Sequence, residues 1–362
     1  MSKLNVSIQT VSPVLSNILN EINPKTILLV TGKNSYILSG ARDSIELTLK
    51  GFNYVRFFDF EENPKIEDVK RGLEIFHDNS CDLIISVGGG SVIDMGKLIS
   101  GLSSKNNTII EMVKGNRLRK NHCPIIAIPT TGGTGSEATH FAVVYIDGEK
   151  HSYTNENLLP YKVILDPRLT YSKSPYLTAV TGADALCQSI ESMWAVNSTR
   201  ESKRYAERAI KLLWENLPKA VLFNDKISKD NVMKGSFLAG KAINISKTTA
   251  SHALSYKLTS LFNITHGQAV AITLSEVMRI NYCEAKEEID QILTIIGAFN
   301  LTDGIQKLQD FWIKIGLEVK LSSLGLSTTD IPSLKTINIE RMKNNPVKLS
   351  ADQIEEIFKE VF

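Results

Sequence analysis

The stretch CDLIISVGGGSVIDMGKLISGL, residues 81 to 102, decides the fold. It begins with a short apolar run of the kind that forms a buried parallel strand, and it ends with the spacing of an amphipathic helix. Between them lies Gly88-Gly89-Gly90-Ser91, where backbone N–H groups at a helix N-terminus can hold a pyrophosphate. The glycines do not follow the usual GxGxxG spacing, so a tight structural turn stays an equal alternative.

The rhythm of strand and helix continues on both sides of this stretch. Four apolar runs predict buried parallel strands: Thr26 to Val30, Tyr54 to Phe58, Leu83 to Val87 and Ile125 to Ile128. Two amphipathic runs predict crossover helices: Ile66 to His77 and Val92 to Leu102. After Asp166-Pro167 the apolar residues recur every three to four positions, which predicts helices in four segments: Leu177 to Val196, Arg204 to Leu217, Val232 to Ile245 and Gln268 to Ile280. The sequence therefore predicts an α/β, doubly wound, Rossmann-like domain over residues 1–167 and an all-α domain over 168–362.

A second turn supports a nucleotide ligand. The segment from Pro129 to Glu137, PTTGGTGSE, follows another predicted strand and is rich in hydroxyls and glycine. Free amides and hydroxyls of this kind suit phosphate and ribose contacts. Two such turns after successive strands predict a dinucleotide site.

Charge and composition exclude several other partners. Lys and Arg number 41 against 39 Asp and Glu, so the net charge of +2 offers no field for nucleic acid or an anionic membrane. Met1 to Ser12 lacks the pattern of a signal peptide, and no apolar run approaches the roughly 20 residues that span a bilayer. Cys81, Cys123, Cys187 and Cys283 are widely spaced and are expected to be buried and reduced. We expect a cytoplasmic protein with a small-molecule substrate.

At this point the chain resembles the iron-containing alcohol dehydrogenases, which share the dehydroquinate synthase-like fold. The matching stretches occur in the family's order: Gly88 to Lys97, Pro129 to Glu137, Asp166-Pro167, Gly182 to Leu186, and His252-Ala253 through His266-Gly267. The resemblance implies NADH or NADPH on the first domain, near Gly89, Gly90, Ser91, Asp94, Thr130, Thr131 and Thr134. A homodimer is left open.

The resemblance also implies a divalent metal, with iron(II) the first choice and zinc or manganese as alternatives. Asp184 and Gln188 lie four residues apart, on one face of a predicted helix. With His252 and His266 they occupy the family's ligand positions, which there carry Asp and three His. An amide oxygen is a weaker donor to a transition metal than imidazole, so Gln188 predicts lower metal affinity.

The implied reaction is reduction of an aldehyde to a primary alcohol. The metal polarises the carbonyl while the reduced nicotinamide delivers hydride. Many family members carry another His four residues after His252, and this chain has Tyr256. A phenol can hydrogen-bond the carbonyl oxygen or relay a proton, although its usual pKa near 10 makes it a poor base.

A donor-rich segment before His252 distinguishes this chain from the common family pattern. It contains Asn244, Ser246, Lys247, Thr248 and Thr249, and it is similar to the branch that reduces phosphonoacetaldehyde to 2-hydroxyethylphosphonate. A dianionic substrate requires hydrogen bonds and charge compensation, which assigns Lys247 to the substrate's head group. A solvated Lys at a helix end beside capping threonines is the structural alternative.

Cofactor preference is indicated by Thr31-Gly32-Lys33-Asn34-Ser35. In NAD-preferring members an acidic residue often stands near the first strand's end, whereas Gly32 carries no carboxylate to repel a 2′-phosphate. Lys33 and Ser35 are candidates to bind that phosphate. We therefore expect NADPH to be used at least as well as NADH.

Three alternatives to a phosphonate-specific reductase stay open. The first is a general primary-alcohol or lactaldehyde-type dehydrogenase. The second is a dehydroquinate synthase-like lyase, whose metal set normally includes a glutamate. The third is a non-catalytic nucleotide-binding relative, which would bind NADPH without metal.

Overall fold

The computed structural model describes residues 5–103, 109–115, 122–334 and 342–362. Contacts divide the chain into two compact units: unit 1 is Met1–Thr131 with Gly135–Lys173, and unit 2 is Gly132–Thr134 with Ser174–Phe362. Residues 168–173 therefore group with unit 1, whereas the predicted boundary lies before residue 168. Residues 1–4 of the N-terminal segment Met1 to Ser12 lie outside the described residues.

Unit 1 contains a six-stranded parallel sheet and a separate antiparallel hairpin. The sheet order is β1-β8-β5-β4-β2-β3, and the hairpin pairs β6 with β7. The strands are β1 (Asn5–Ile8), β2 (Ile27–Thr31), β3 (Tyr54–Phe57), β4 (Leu83–Gly88), β5 (Ile125–Pro129), β6 (Phe141–Ile146), β7 (Glu149–Thr154) and β8 (Lys162–Leu165). The helices are α1 (Val11–Ile22), α2 (Ser35–Leu38), α3 (Ala41–Thr48), α4 (Ile66–Asp78), α5 (Gly90–Leu102) and α6 (Ile109–Lys114).

Both faces of this sheet are covered, which explains why its central strands are apolar throughout. Leu28 and Val30 of β2 join one core layer, and their neighbours Ile27 and Leu29 join the layer on the opposite face. Successive side chains of a strand point to opposite faces, so a strand buried on both sides has no polar alternation. The four predicted parallel strands and the predicted doubly wound class are confirmed. The prediction that all four are buried is wrong for β3, because it lies at the edge of the sheet and Tyr54 is exposed.

The strand order reverses between β2 and β4. The chain runs from β2 outward to β3, then returns across β2 to β4 and continues outward to β5. In open parallel sheets, ligands bind beyond the carboxyl ends of the strands at such a switch point. Gly32 follows β2 and Gly89 follows β4, so both lie at this edge.

The described part of unit 2 is helical and packs around α7. Its helices are α7 (Pro175–Trp194), α8 (Arg200–Leu222), α9 (Lys226–Ser246), α10 (Ala250–Phe262), α11 (His266–Asn281), α12 (Lys286–Ile295), α13 (Leu301–Lys314), α14 (Ile331–Leu334) and α15 (Ala351–Glu360). Ser174 caps α7 by accepting a hydrogen bond from the Leu177 N–H, with Pro175 at the first helical position. From Thr178 onward α7 is buried on nearly every side, so its polar residues need partners inside the unit.

Three of the four cysteines are buried. Cys81, Cys123 and Cys187 are buried as expected, but the prediction for Cys283 is wrong, because this thiol is exposed in the turn after α11. No helix in the described ranges is long and apolar enough to cross a bilayer.

Candidate metal and cofactor sites

Three predicted metal ligands converge inside unit 2. Asp184, His252 and His266 each offer a ligand atom, and these atoms lie within 4.8 Å of one another. The distance from Asp184 Oδ1 to His252 Nε2 is 3.2 Å, and the distance to His266 Nε2 is 3.9 Å. A carboxylate and two imidazoles at this spacing form a ligand set for a divalent transition metal.

Three different helices supply these side chains. Asp184 lies in the middle of α7, His252 lies in the first turn of α10, and His266 is the first residue of α11. A Cβ on residue 267 would collide with the carbonyl group of Val180, because the distance from this Cβ to the Val180 carbonyl carbon would be 2.7 Å. Glycine at 267 therefore permits the close approach of α11 to α7 that brings His266 beside Asp184.

The fourth predicted ligand, Gln188, lies one turn after Asp184 and is buried. Its Nε2 donates to the carbonyl oxygen of Thr134 at 3.4 Å. Its Oε1 is buried without a hydrogen-bond partner among the described residues. A buried oxygen without a hydrogen-bond partner costs about 1–3 kcal/mol. A cation held by Asp184, His252 and His266 would give this oxygen a partner, so Gln188 fits the proposed metal site.

Glu191 completes the cluster and was not predicted from the sequence. This fully buried carboxylate pairs with Nδ1 of His252 through Oε2. Through Oε1 it accepts hydrogen bonds from the Thr249 hydroxyl at 2.7 Å and the Ser251 N–H at 2.8 Å. A carboxylate on the far nitrogen of a metal-binding His fixes its tautomer and orientation, so Glu191 turns Nε2 of His252 toward Asp184.

The charges of the cluster favour binding of a cation. Burial alone raises the pKa of Asp184, but hydrogen bonds from His252 and Gln188 and the charges of both imidazoles lower it below its usual value. Burial lowers the pKa of His252, but Glu191 and Asp184 outweigh that effect and raise it to about 10. Two buried carboxylates thus require a positive partner, either a proton on the imidazole or a metal.

Tyr256 lies one turn after His252 and is half-buried. Its ring stacks parallel to that of His266, with centroids 6.2 Å apart and 3° between the planes. The hydroxyl of Ser255 lies 3.3 Å from Nδ1 of His266. The structure therefore places the ring of Tyr256 beside a predicted metal ligand.

Two hydroxyls of the donor-rich segment before His252 bond to groups inside unit 2. The Ser246 hydroxyl bonds inward to Ser192 Oγ at 2.8 Å, and Trp194 donates to the Thr249 hydroxyl, which in turn donates to Glu191. The hydroxyls of Ser246 and Thr249 are therefore engaged inside unit 2. Lys247 and Thr248 lie between them and are half-buried.

The two glycine-rich turns begin side by side at the carboxyl edge of the sheet, although Gly132–Thr134 of the second turn group with unit 2. Gly88 pairs with Pro129, and the Thr130 N–H donates to the Gly88 carbonyl at 3.0 Å. A Cβ on Gly89 would lie 3.5 Å from the Thr131 hydroxyl. Gly89 is the N-cap of α5, so the first amides of that helix, at Gly90 and Ser91, face this edge.

The remaining cofactor candidates have different surroundings. Asp94 accepts a hydrogen bond from the Ser136 hydroxyl and another from the Val143 N–H, the second with a length of 2.9 Å. The carboxylate of Asp94 is therefore engaged within unit 1. The Thr130 hydroxyl is buried and has no hydrogen-bond partner among the described residues. Thr134 is exposed, and Ser35 begins α2 beside Gly32. Their assignment to the cofactor stays a prediction.

Comparison with known proteins matches both halves of the chain. Residues 10–167 match the family model described as iron-containing alcohol dehydrogenase, and residues 178–362 match the C-terminal model of the same family. The 1,3-propanediol dehydrogenase of Citrobacter freundii is 32% identical over 93% of this chain and 92% of that protein. Long-chain-alcohol dehydrogenase 1 of Geobacillus thermodenitrificans is 30% identical over 94% and 90%.

Solved structures are similar over nearly the whole length. A sulfoacetaldehyde reductase from Bifidobacterium kashiwanohense, in complex with NAD+, superposes with a TM-score of 0.93 at 29% identity, covering 99% of this chain and 96% of that one. A 1,3-propanediol oxidoreductase also gives a TM-score of 0.93 at 29% identity, covering 99% and 98%.

Proposed function

Because the chain belongs to the iron-containing alcohol dehydrogenase family, we propose that it reduces a small aldehyde with an anionic head group to the primary alcohol. It is an oxidoreductase of the alcohol dehydrogenase or aldehyde reductase type. Phosphonoacetaldehyde is the proposed substrate and 2-hydroxyethylphosphonate is the product. NADPH or NADH is the proposed reductant, and the proposed metal is iron(II), or else zinc or manganese.

We assign three roles to residues of unit 2: binding the metal, positioning His252 and donating a proton. Asp184, Gln188, His252 and His266 are proposed to hold the metal, and Glu191 keeps the imidazole of His252 in place. When bound, the metal supplies a Lewis acid for the aldehyde carbonyl and the reduced nicotinamide supplies hydride. Tyr256 is proposed to donate the proton that the alcohol oxygen needs, since its ring lies against His266.

The proposal that the substrate has an anionic head group rests on the conformation of Lys247. Its backbone has φ 63° and ψ 177°, a combination that is essentially restricted to glycine. A non-glycine residue held there costs about 1–3 kcal/mol, and such strain clusters at functional sites. Burial lowers the pKa of Lys247 to about 8, so the ammonium is still mainly charged at neutral pH.

Neighbouring groups clamp this conformation from both sides. Asn344 donates through Nδ2 to the Ser246 carbonyl at 2.7 Å and to the Thr248 carbonyl at 3.0 Å. The Lys247 N–H donates to the Ile243 carbonyl at 2.9 Å. Two residues later, Thr249 bonds to Glu191, which holds His252. The backbone of Lys247 is therefore tied to the metal cluster, which suits a cation for the substrate's head group.

The solved structures lend this proposal further support. Sulfoacetaldehyde and phosphonoacetaldehyde both join a two-carbon aldehyde to an anionic head, and the sulfoacetaldehyde reductase is similar over 99% of this chain. The relatives named for 1,3-propanediol act on a neutral compound and favour the alternative of a general primary-alcohol dehydrogenase. The two candidates differ in whether charge on the substrate matters.

Replacing Lys247 with Ala tests the choice. We expect kcat/KM for phosphonoacetaldehyde to fall about 30-fold or more, because losing one partner of a buried charge pair costs roughly 2–5 kcal/mol. Turnover of propanal, a neutral aldehyde, is expected to change less than twofold. The measurement is NADPH or NADH oxidation by the metal-loaded enzyme with both aldehydes.

Lys241→Ala is the matched control, since that lysine lies on α9, the helix that ends just before Lys247, and its ammonium sits over the ring of Tyr205. It should leave both aldehydes unaffected. Equal losses on the two aldehydes in Lys247→Ala would contradict the proposal and favour the general dehydrogenase. Sulfoacetaldehyde as a third substrate shows whether the head group must be a phosphonate.

A further inference from the structure

Arg56 on β3 lies beside the turn that follows β2. Its Nε donates to the Thr31 hydroxyl at 2.9 Å, and its Nη2 lies 3.5 Å from the carbonyl oxygen of Gly32. Both residues belong to the edge where the strand order reverses. Arg56 therefore lies at the end of the sheet where a dinucleotide is expected.

Two aromatic rings hold the guanidinium of Arg56. Its Cζ lies 4.7 Å from the ring centroid of Tyr36 and 4.4 Å from that of Phe58. Stacking of this kind fixes the plane of the guanidinium and reduces the entropy lost when it binds a ligand. Lys33, the cation predicted for this turn, is by contrast an exposed side chain on the same loop.

The charge of Arg56 is not neutralised within the described part of the chain. Its polar contacts there are a hydroxyl and a carbonyl, and no carboxylate forms an ion pair with it. Gly32, next to it, adds no side chain, and the nearest atom to a Cβ placed there belongs to the flexible Ser35 hydroxyl. A half-buried, oriented guanidinium beside a turn whose glycine carries no side chain suits a bidentate phosphate.

We propose that Arg56 recognises the 2′-phosphate of NADPH and is the residue that sets the preference for NADPH over NADH. The inference rests on the proposed use of NADPH. An Arg fork matches two oxygens of a phosphate monoester, and NADH offers only a hydroxyl at that position. Ser35, at the start of α2, lies on the same turn and can donate a further hydrogen bond.

Binding of nucleotide fragments tests this without turnover. The probes are 2′,5′-ADP, which carries the 2′-phosphate, and 5′-ADP, which lacks it, each titrated by calorimetry into the wild-type protein and Arg56→Met. We expect the wild type to bind 2′,5′-ADP more tightly. In Arg56→Met that affinity should fall about 30-fold, as for the loss of a charged hydrogen-bonding pair, with 5′-ADP changed less than twofold.

Arg71→Met is the control, since that half-exposed arginine of unit 1 pairs with Asp68 and should leave both affinities unchanged. If Arg56→Met does not fold, Arg56→Lys takes its place, because lysine keeps the charge but not the planar guanidinium. We expect Arg56→Lys to lower the affinity for 2′,5′-ADP about fivefold and to leave the affinity for 5′-ADP unchanged. Equal losses for both probes, or an unchanged preference in the variants, would overturn the role of Arg56 while NADPH use stands. A wild type without any preference for 2′,5′-ADP would overturn both. Inorganic phosphate that competes as well as 2′,5′-ADP would reassign Arg56 to free phosphate.

Discussion

The candidate metal site of unit 2 is made of side chains, whereas the glycine turn of unit 1 offers backbone groups to a ligand. Asp184, His252 and His266 come from three helices and meet only after these helices have packed. Gly88, Gly89 and the amides after them are contiguous in sequence and follow one strand. A side-chain site is destroyed by removing atoms, and a backbone site is destroyed by adding them.

Removing an imidazole from unit 2 should have the largest effect. His252→Ala deletes one of the three converging ligands, so we expect metal affinity to fall more than about 100-fold and turnover to drop to background. Metal content after dialysis and aldehyde reduction are measured on the same sample. His151→Ala, in β7 of unit 1, is the control and should retain both. Full metal occupancy in His252→Ala would refute the metal site.

Replacing Glu191 with Gln tests the outer layer of the same cluster. The amide keeps the size of the side chain and can still accept from Thr249 and Ser251, but it loses the charge that holds His252. Such a change typically lowers metal affinity about 10–100-fold. Competition with a coloured chelator measures it. Glu276→Gln, which breaks an ion pair with Arg279 on α11, should leave the affinity unchanged.

Adding one methyl group to the glycine turn should have a smaller effect, and its nature depends on the position. A Cβ on Gly89 makes ordinary contacts with the protein, so Gly89→Ala should change the free energy of unfolding by less than about 1 kcal/mol. The added methyl group lies on the turn proposed to hold the cofactor phosphates, so we expect cofactor affinity to fall about tenfold. A Cβ on Gly88 would lie 2.6 Å from Cβ of Val92, so Gly88→Ala should destabilise the fold by about 1–3 kcal/mol.

Cofactor titration and thermal unfolding of the two glycine variants check this difference. If Gly89→Ala binds NADPH and NADH like the wild type, the turn does not contact the phosphates. The backbone site would then have to be sought elsewhere on unit 1.

The same difference explains how much could be predicted from the sequence. The buried strands, the glycine turns and the pairing of Asp184 with Gln188 are local patterns with a fixed period, and the structure has these elements where they were expected. Nothing in the spacing of residues 184, 252 and 266 shows that they meet, so resemblance to a family had to supply that. Glu191 was missed although it lies seven residues after Asp184, two helical turns along the same face of α7.

Other residues were missed or misjudged because their roles depend on packing. Arg56 reads as an ordinary strand residue until Tyr36 and Phe58 are seen around it. Thr249 reads as a helix cap or a substrate donor, yet its hydroxyl is used on Glu191. Contacts of this kind join residues far apart in sequence, and local periodicity carries no information about them.

The strained backbone at Lys247 sets two selection pressures against each other. Glycine adopts this conformation without steric cost, so a search for thermostable variants would favour Gly at position 247. The same change deletes the ammonium on which the proposed substrate depends. Stabilised descendants of this protein should therefore drift toward neutral aldehydes unless the assay used for selection contains the anionic one.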